Sequence, residues 1–406
     1  MTAGEPARAL TEERYLDDPR PLYHWLREHH PVCPLGTGKV ALTRYADAHR
    51  VVRDSRFRRP AFTEIVAANP EVERRPSLSM FFRSQAYVNP PELARVRRFV
   101  TRELTTRRMD ALSGTVDRMA DGLLDDIASR LAAGATVDMH AEFALGIARN
   151  VLADLLGVPD ADRDRLTGLV NRVLAAIDPL STSEQLDAAD EASHEVDEYF
   201  TALAAQRRAD PRDDLVTALA SPREGADRLT DDELPTMLWG TWLAGFETTA
   251  SGIDHGLLVL ARNPRCGPWL DGDPDRAEAF VEETLRYEPQ VLLTSVSWLA
   301  GEDVTVGETL VRAGTDVRLM IGAINHDPAT FADPDRFDPA RPATPSFAFS
   351  QGPHYCVGQA LARMEMSVAL RAVRRRLPGL ALAGQPRRVP TMSLRRFGSL
   401  PMELAG

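Results

Sequence analysis

Apolar residues return at three- and four-residue spacing through the middle of the chain, a rhythm that predicts helices. Leu123, Ile127 and Leu131 form one stripe, and Ile147, Val151, Leu155 and Leu156 another. Gly134, Pro159, Asp178-Pro179 and Asp210-Pro211 divide the run between about residues 89 and 286 into separate helices. Thr230-Asp231-Asp232-Glu233 opens the longest, which the pattern carries to Arg262 before Asn263-Pro264 closes it. Acids in that first turn suit the helix dipole. Ala277–Tyr287 reads as one more helix.

Flanking this run the pattern is mixed. Pro21–His30 and Ala46–Asp54 predict helices, with a strand over Val40–Tyr45. Between Arg58 and Val88, Pro60, Pro70 and Pro76 interrupt the periodicity, which predicts a long irregular excursion. Asn89-Pro90-Pro91-Glu92 then starts a helix, with Asn89 placed as its cap. After Pro289 come short alternating segments, Val304–Val306, Thr309–Val311 and Val317–Ile321, with Gly307 and Gly314 at turns. A Pro/Asp-rich stretch, Asp327–Pro345, leads to a helix over Val357–Arg376. The fold class is mainly α (α+β), with a small β portion, and the absence of a clear linker predicts one domain over residues 1–406.

Charge and composition narrow the function. The net charge is −11 and the pI about 5.4, so sequence-independent nucleic-acid binding is not expected. No segment approaches the roughly 18 consecutive apolar residues of a membrane span, and the charged N-terminus has no signal-peptide character. The three cysteines, Cys33, Cys266 and Cys356, are far apart and odd in number, which excludes a disulfide framework. A reducing, cytoplasmic setting is expected.

One cysteine has unusual surroundings. In Phe347-Ala348-Phe349-Ser350-Gln351-Gly352-Pro353-His354-Tyr355-Cys356-Val357-Gly358-Gln359-Ala360-Leu361-Ala362-Arg363, a thiol follows a Gly- and Pro-containing loop and precedes a helix. A thiolate there gains from the helix N-terminus and from backbone N–H groups. Gly352 and Gly358 permit close approach of a flat partner. An arbitrary single cysteine is far more often a buried structural residue; the whole pattern changes that expectation.

The stretch resembles the heme-binding signature of the cytochrome P450 family, with Phe349, Gly352, His354, Cys356 and Gly358 at family spacing. Two further stretches resemble family motifs in the family's order. Glu283-Thr284-Leu285-Arg286 is similar to its Glu-x-x-Arg, whose third, arginine member is here Arg336 or Arg341. Taken alone, such a pair is an ordinary surface ion pair worth little. Leu243-Ala244-Gly245-Phe246-Glu247-Thr248-Thr249 is similar to the family's oxygen-binding segment, where Gly and Thr are poor helix formers and a threonine hydroxyl bonded to the backbone would widen the helix locally. Arg44-Tyr45-Ala46-Asp47 and Asn89-Pro90-Pro91-Glu92 extend the likeness over nearly the whole chain.

The resemblance implies a cytochrome P450 fold, with heme b (iron protoporphyrin IX) between the long central helix and the helix after the cysteine loop. It implies a monooxygenase that uses dioxygen and an external electron donor, a ferredoxin with its reductase, to oxidise a lipophilic small molecule of bacterial secondary metabolism. Cys356 is then the iron ligand, Phe349 packs beside the thiolate, and His354 and Arg97 bind propionates. Glu247 and Thr248, with Ala244 and Gly245 beside them, form the proton-delivering segment. Leu93 and Trp298 stand where the family carries two further propionate partners, His and Arg. The substrate pocket is expected from Met80, Phe81, Phe82, Gly240, Leu243, Leu292, Leu293 and Thr294. A basic face on Arg95, Arg98 and Arg102, and another on Arg371, Arg374, Arg375 and Arg376, would suit an acidic redox partner. Two alternatives are a peroxide-driven peroxygenase, against which Glu247-Thr248 argues, and a non-catalytic interaction domain, against which Cys356 argues.

Overall fold

Burial on the helix Thr106–Ala132 follows the apolar stripe, with Val116, Ala120, Leu124, Ile127 and Leu131 all at most 2% exposed. These positions share one helical face. The structure is a computed structural model and describes residues 9–221 and 228–405. It resolves into two compact units. The first holds the chain up to Arg58, Ala111–Ile147 and everything from Glu247; the second holds Arg59–Asp110 and Ala148–Phe246.

In the first unit a five-stranded sheet runs in the order Val32–Gly36, Lys39–Leu42, Asp316–Leu319, Trp298–Ala300, Phe57–Arg58. Lys39–Leu42 and Asp316–Leu319 are parallel, and the other pairs are antiparallel. Leu42, Val51, Trp298, Val317, Leu319 and Phe347 form a buried cluster against it. Phe347 belongs to the cysteine loop, so the sheet core anchors that loop. Val304–Val306 and Thr309–Val311 form a hairpin turning at Gly307, whose φ is +57°.

The C-terminal half of the central helix (Glu233–Arg262) lies against the helix Gln359–Arg376 that follows the cysteine loop. The approach depends on absent side chains. A Cβ on Gly252 would come within 2.7 Å of the Met366 sulfur, and one on Gly256 within 2.5 Å of a Leu370 methyl.

The second unit is helical: Phe62–Ala68, Glu71–Arg74, Pro76–Phe82, Glu92–Thr101, Asp160–Val173, Ser183–Ala209 and Leu215–Ala220 lie in it. Arg75 ties the helix Ser183–Ala209 to the proline-rich region through Asp187 and Asp190, at 2.8 and 2.9 Å. Thr230 and Glu233 cap the central helix reciprocally, Thr230 N–H donating to the Glu233 carboxylate at 2.8 Å and Glu233 N–H to the Thr230 hydroxyl at 3.1 Å. Among the described residues no helix is long and apolar enough to cross a membrane.

Several expectations need correction. The region Arg58–Val88 is not irregular but carries three short helices and the 3-10 turn Gln85–Tyr87. Pro70 and Pro76 start helices instead of interrupting them, since proline is tolerated in a first turn. Asn89 does not cap a helix: its amide side chain brackets the backbone of Arg59, accepting from N–H at 2.9 Å and donating to the carbonyl at 3.0 Å. The strand expected over Val40–Tyr45 is Lys39–Leu42, and Tyr45 already opens a helix. The strand expected to Ile321 ends at Leu319, and Ile321–Asn325 is helical.

Candidate active site

The cysteine loop is wound by its own backbone. Ser350 N–H donates to the Phe347 carbonyl at 2.9 Å, Tyr355 N–H to Gly352 at 3.0 Å and Cys356 N–H to Phe349 at 3.0 Å. Phe347 N–H donates to the Asn325 side chain at 2.7 Å, and Gln351 accepts from Arg53 at 3.0 Å while donating to the Tyr45 hydroxyl at 3.0 Å. Cys356 emerges exposed, whereas Cys33 and Cys266 are buried. Burial alone pushes the Cys33 thiol up to about 12. The exposed, soft sulfur at the lip of a pinned loop, just before an 18-residue helix, is a donor that fits the iron of a heme. Phe349 is half-buried, with the Arg363 guanidinium 4.5 Å over its ring. His354 ends the 3-10 turn Gly352–His354 and is half-buried.

Gly352 is the conformational pivot. Its φ is +72°, and a Cβ there would lie 2.5 Å from the Val52 carbonyl oxygen. Left-handed backbone costs other residues about 1–2 kcal/mol, and the collision is with main chain that cannot rotate away. Gly352→Ala is expected to lower Tm and to release heme faster than the parent in transfer to apomyoglobin. An unchanged transfer rate would contradict this view of the loop.

Along the central helix Gly240, Ala244 and Thr248 form its less buried line, with Ala244 exposed, while Leu243 and Glu247 are 8% and 3% exposed. The helix runs as unbroken α from Glu233 to Arg262, so the local widening expected at Gly245-Thr249 is not seen. Burial raises the Glu247 pKa above the usual carboxylate range, opposed by Arg396 and His140. Arg396 stands 3.7 Å from the Glu247 carboxylate. The sequence gives no sign of this arginine, which arrives from the C-terminal strands.

Glu283 and Arg286 are a buried pair, joined by two bonds of 2.8 Å. The guanidinium that completes the network is that of Arg341, at 3.3 Å from both Glu283 oxygens. Arg336 is therefore corrected: its side chain turns to Asp338 and is 61% exposed, and only its carbonyl takes part, accepting from Arg341 at 3.0 Å. Arg286 also donates to the carbonyls of Asn325 and Pro334, both at 2.9 Å.

The other expected residues are scattered. In the second unit, Met80 lines an open cavity of about 280 Å³ with Trp239, Arg83, His194 and Asp197. Phe81 and Phe82 pack edge-to-face with Tyr87. Arg97 is half-buried on the helix Glu92–Thr101, where Leu93 is buried. In the first unit, Leu292 and Leu293 are 5% and 1% exposed, and Leu293 bridges to Met320. The Thr294 hydroxyl accepts from Leu319 N–H at 3.0 Å, so it serves the sheet. Trp298 is 3% exposed in the sheet core. Gly358 precedes the helix Gln359–Arg376, and a Cβ there would meet nothing within 4 Å.

The basic face at the end of Gln359–Arg376 is largely neutralised. Arg374 pairs with Asp271, Arg375 with Asp117 and Asp121, and Arg376 with Asp121 and Asp125. Arg371 donates to the Gly272 carbonyl at 3.3 Å. Arg95 pairs with Glu92 and Glu233.

The chain is similar to known proteins over most of its length. A family model described as Cytochrome P450 matches residues 77–267 and 277–377. Cytochrome P450 BJ-3 of Bradyrhizobium diazoefficiens is 38% identical over 97% of this chain and 95% of its own length. Mycinamicin IV hydroxylase/epoxidase of Micromonospora griseorubida is 35% identical over 89% of this chain and 88% of its own. The crystal structure of Mycobacterium smegmatis CYP164A2 with econazole bound superposes with a TM-score of 0.88, at 29% identity, covering 99% of this chain and 100% of that one.

Proposed function

Because the chain belongs to the cytochrome P450 family, and is thereby a heme-thiolate monooxygenase, we propose that it oxidises a lipophilic small molecule of bacterial secondary metabolism. The cofactor is heme b, and electrons come from a ferredoxin with its reductase. The observation that carries this reading is Cys356: the exposed cysteine stands on a hydrogen-bonded loop before a long helix, and the other two are buried. The relative that acts on mycinamicin IV supports the substrate class.

Within the first unit, Cys356 would hold the iron and His354 a propionate. When bound, the heme supplies the redox chemistry that splits dioxygen and oxidises the substrate. Glu247, whose pKa is raised by burial, carries a proton one residue before Thr248, whose hydroxyl passes it on at Oγ1. Arg396 limits how far the Glu247 pKa rises. Met80 and Trp239 offer apolar surface to a substrate, and Arg83, His194 and Asp197 offer polar contacts in the same cavity. An acidic redox partner at the end of Gln359–Arg376 has to compete with Asp117, Asp121, Asp125 and Asp271 for the arginines, which predicts docking that weakens with salt.

Screening lipophilic compounds for a low-spin to high-spin shift identifies the substrate class. With a compound so found, Thr248→Ala is expected to keep heme and substrate binding but to uncouple. Product formed per reducing equivalent falls, and hydrogen peroxide release rises. Unchanged coupling removes Thr248 from proton delivery.

A further inference from the structure

The most polar feature of the buried central helix extends beyond Glu247. Glu247, Ser251 and Asp254 follow one another at four and three residues and so share one face. They are 3%, 2% and 0% exposed. Across from them, in the π-helical turn His140–Ala144, His140 contacts Asp254: Nδ1 lies 2.7 Å from Oδ2. The other Asp254 oxygen and the Ser251 hydroxyl are buried without a hydrogen-bond partner among the described residues. Buried polar atoms of this kind are satisfied by ordered water. A structural ion pair alone gives no reason for two further unsatisfied oxygens on the helix face that carries Glu247.

We propose that His140 and Asp254 form a proton entry that feeds Glu247 through the Ser251 hydroxyl and bridging water. This rests on the monooxygenase reading, in which Glu247 needs resupply once per proton delivered. His140, 7% exposed, takes a proton from solvent at Nε2. Its Nδ1 proton crosses to Asp254, leaving a neutral ring and a neutral carboxylic acid. Asp254 then yields a proton along the Ser251 side to the Glu247 carboxylate and becomes a carboxylate again. The ring, left with its single proton on Nε2, turns so that this N–H faces Asp254 and the bare nitrogen faces solvent, which restores a donor toward Asp254 and an acceptor toward water. Each passage moves one proton inward and leaves His140 and Asp254 with their starting charges.

The electrostatics suit this task. Burial opposes charge on His140, but the hydrogen bond to Asp254 and the charges of Asp254, Glu247 and Asp138 outweigh it and hold its pKa above the ordinary value. Burial raises Asp254, against His140 and Arg388. Glu247 is raised by burial against Arg396. The entry thus takes up a proton more readily than an ordinary histidine, and supply declines as pH rises through the His140 pKa. His140 and Asp254 act as positioning and relay residues remote from substrate.

The test uses the heme-loaded enzyme reduced by a ferredoxin and its reductase, without added substrate. The fraction of consumed dioxygen released as hydrogen peroxide is measured. Asp254→Asn is expected to raise that fraction several-fold, to enlarge the solvent deuterium isotope effect on oxygen consumption, and to move the alkaline limb of the pH profile. NMR titration of His140 should show a lower midpoint in Asp254→Asn, a readout independent of turnover. If Asp254→Asn does not fold, His140→Gln is judged on the same peroxide fraction and isotope effect. A parent with a thiolate-type carbon monoxide spectrum, and a variant with parental peroxide fraction and isotope effect, would overturn the relay alone. A parent without that spectrum overturns the monooxygenase reading and the relay with it.

Discussion

Cys356→Ala is expected to abolish thiolate ligation and, with it, monooxygenase turnover. No other cysteine can take over. Cys33 is in a strand and buried, with its thiol held near 12, and Cys266 is buried as well. The loop itself should survive the change, because its backbone bonds run through Phe347, Phe349, Gly352 and the Cys356 main chain. The variant therefore folds with a Tm close to that of the parent but binds heme weakly. Its reduced carbon monoxide complex has no band at the thiolate position. Retention of that band would remove Cys356 from the site.

Arg286→Ala is the second large effect, and it acts on the fold. The guanidinium is 3% exposed in its side chain, and its loss strands the Glu283 carboxylate, which is 4% exposed. It also orphans the carbonyls of Asn325 and Pro334. Removing one member of a buried pair costs about 3–5 kcal/mol. Arg341 remains, but its 3.3 Å contacts are longer than the 2.8 Å bonds of Arg286. Asn325 also fixes Phe347 N–H, so the damage reaches the cysteine loop. Equilibrium denaturation should show the loss, and Arg336→Ala, whose side chain faces solvent, should stay within about 0.5 kcal/mol of the parent. Equal losses in the two variants would reverse the assignment of Arg341.

The sequence was most informative where chemistry is contiguous. The cysteine loop, Glu283-x-x-Arg286 and Glu247-Thr248 each lie within a single stretch, so a resemblance to family motifs could attach to each of them. What escaped depends on contacts between distant segments. Whether Arg336 or Arg341 reaches Glu283 is decided by how the Asp327–Pro345 stretch folds back, and no local rule says which of two arginines turns its guanidinium inward. The arginines after the cysteine loop looked like a free basic face because their partners, Asp117, Asp121 and Asp125, come from a helix some 250 residues earlier. Pro60, Pro70 and Pro76 were ambiguous by nature, since proline both breaks a helix and begins one. His140 and Asp254 left a fainter trace. An acid and a histidine, Asp254-His255, interrupt an otherwise apolar helix segment, but the partner lies 114 residues away.

The central claim is that the Cys356 thiolate holds a heme in this chain. The most direct measurement is the spectrum of the purified parent, loaded with heme, reduced and saturated with carbon monoxide. The account predicts a single Soret band at the long-wavelength position of thiolate-ligated heme, stable while Glu283, Arg286 and Arg341 keep the loop in place. A band only at the shorter wavelength of nitrogen-ligated or five-coordinate heme, in freshly prepared protein with its Tm unchanged, would contradict it.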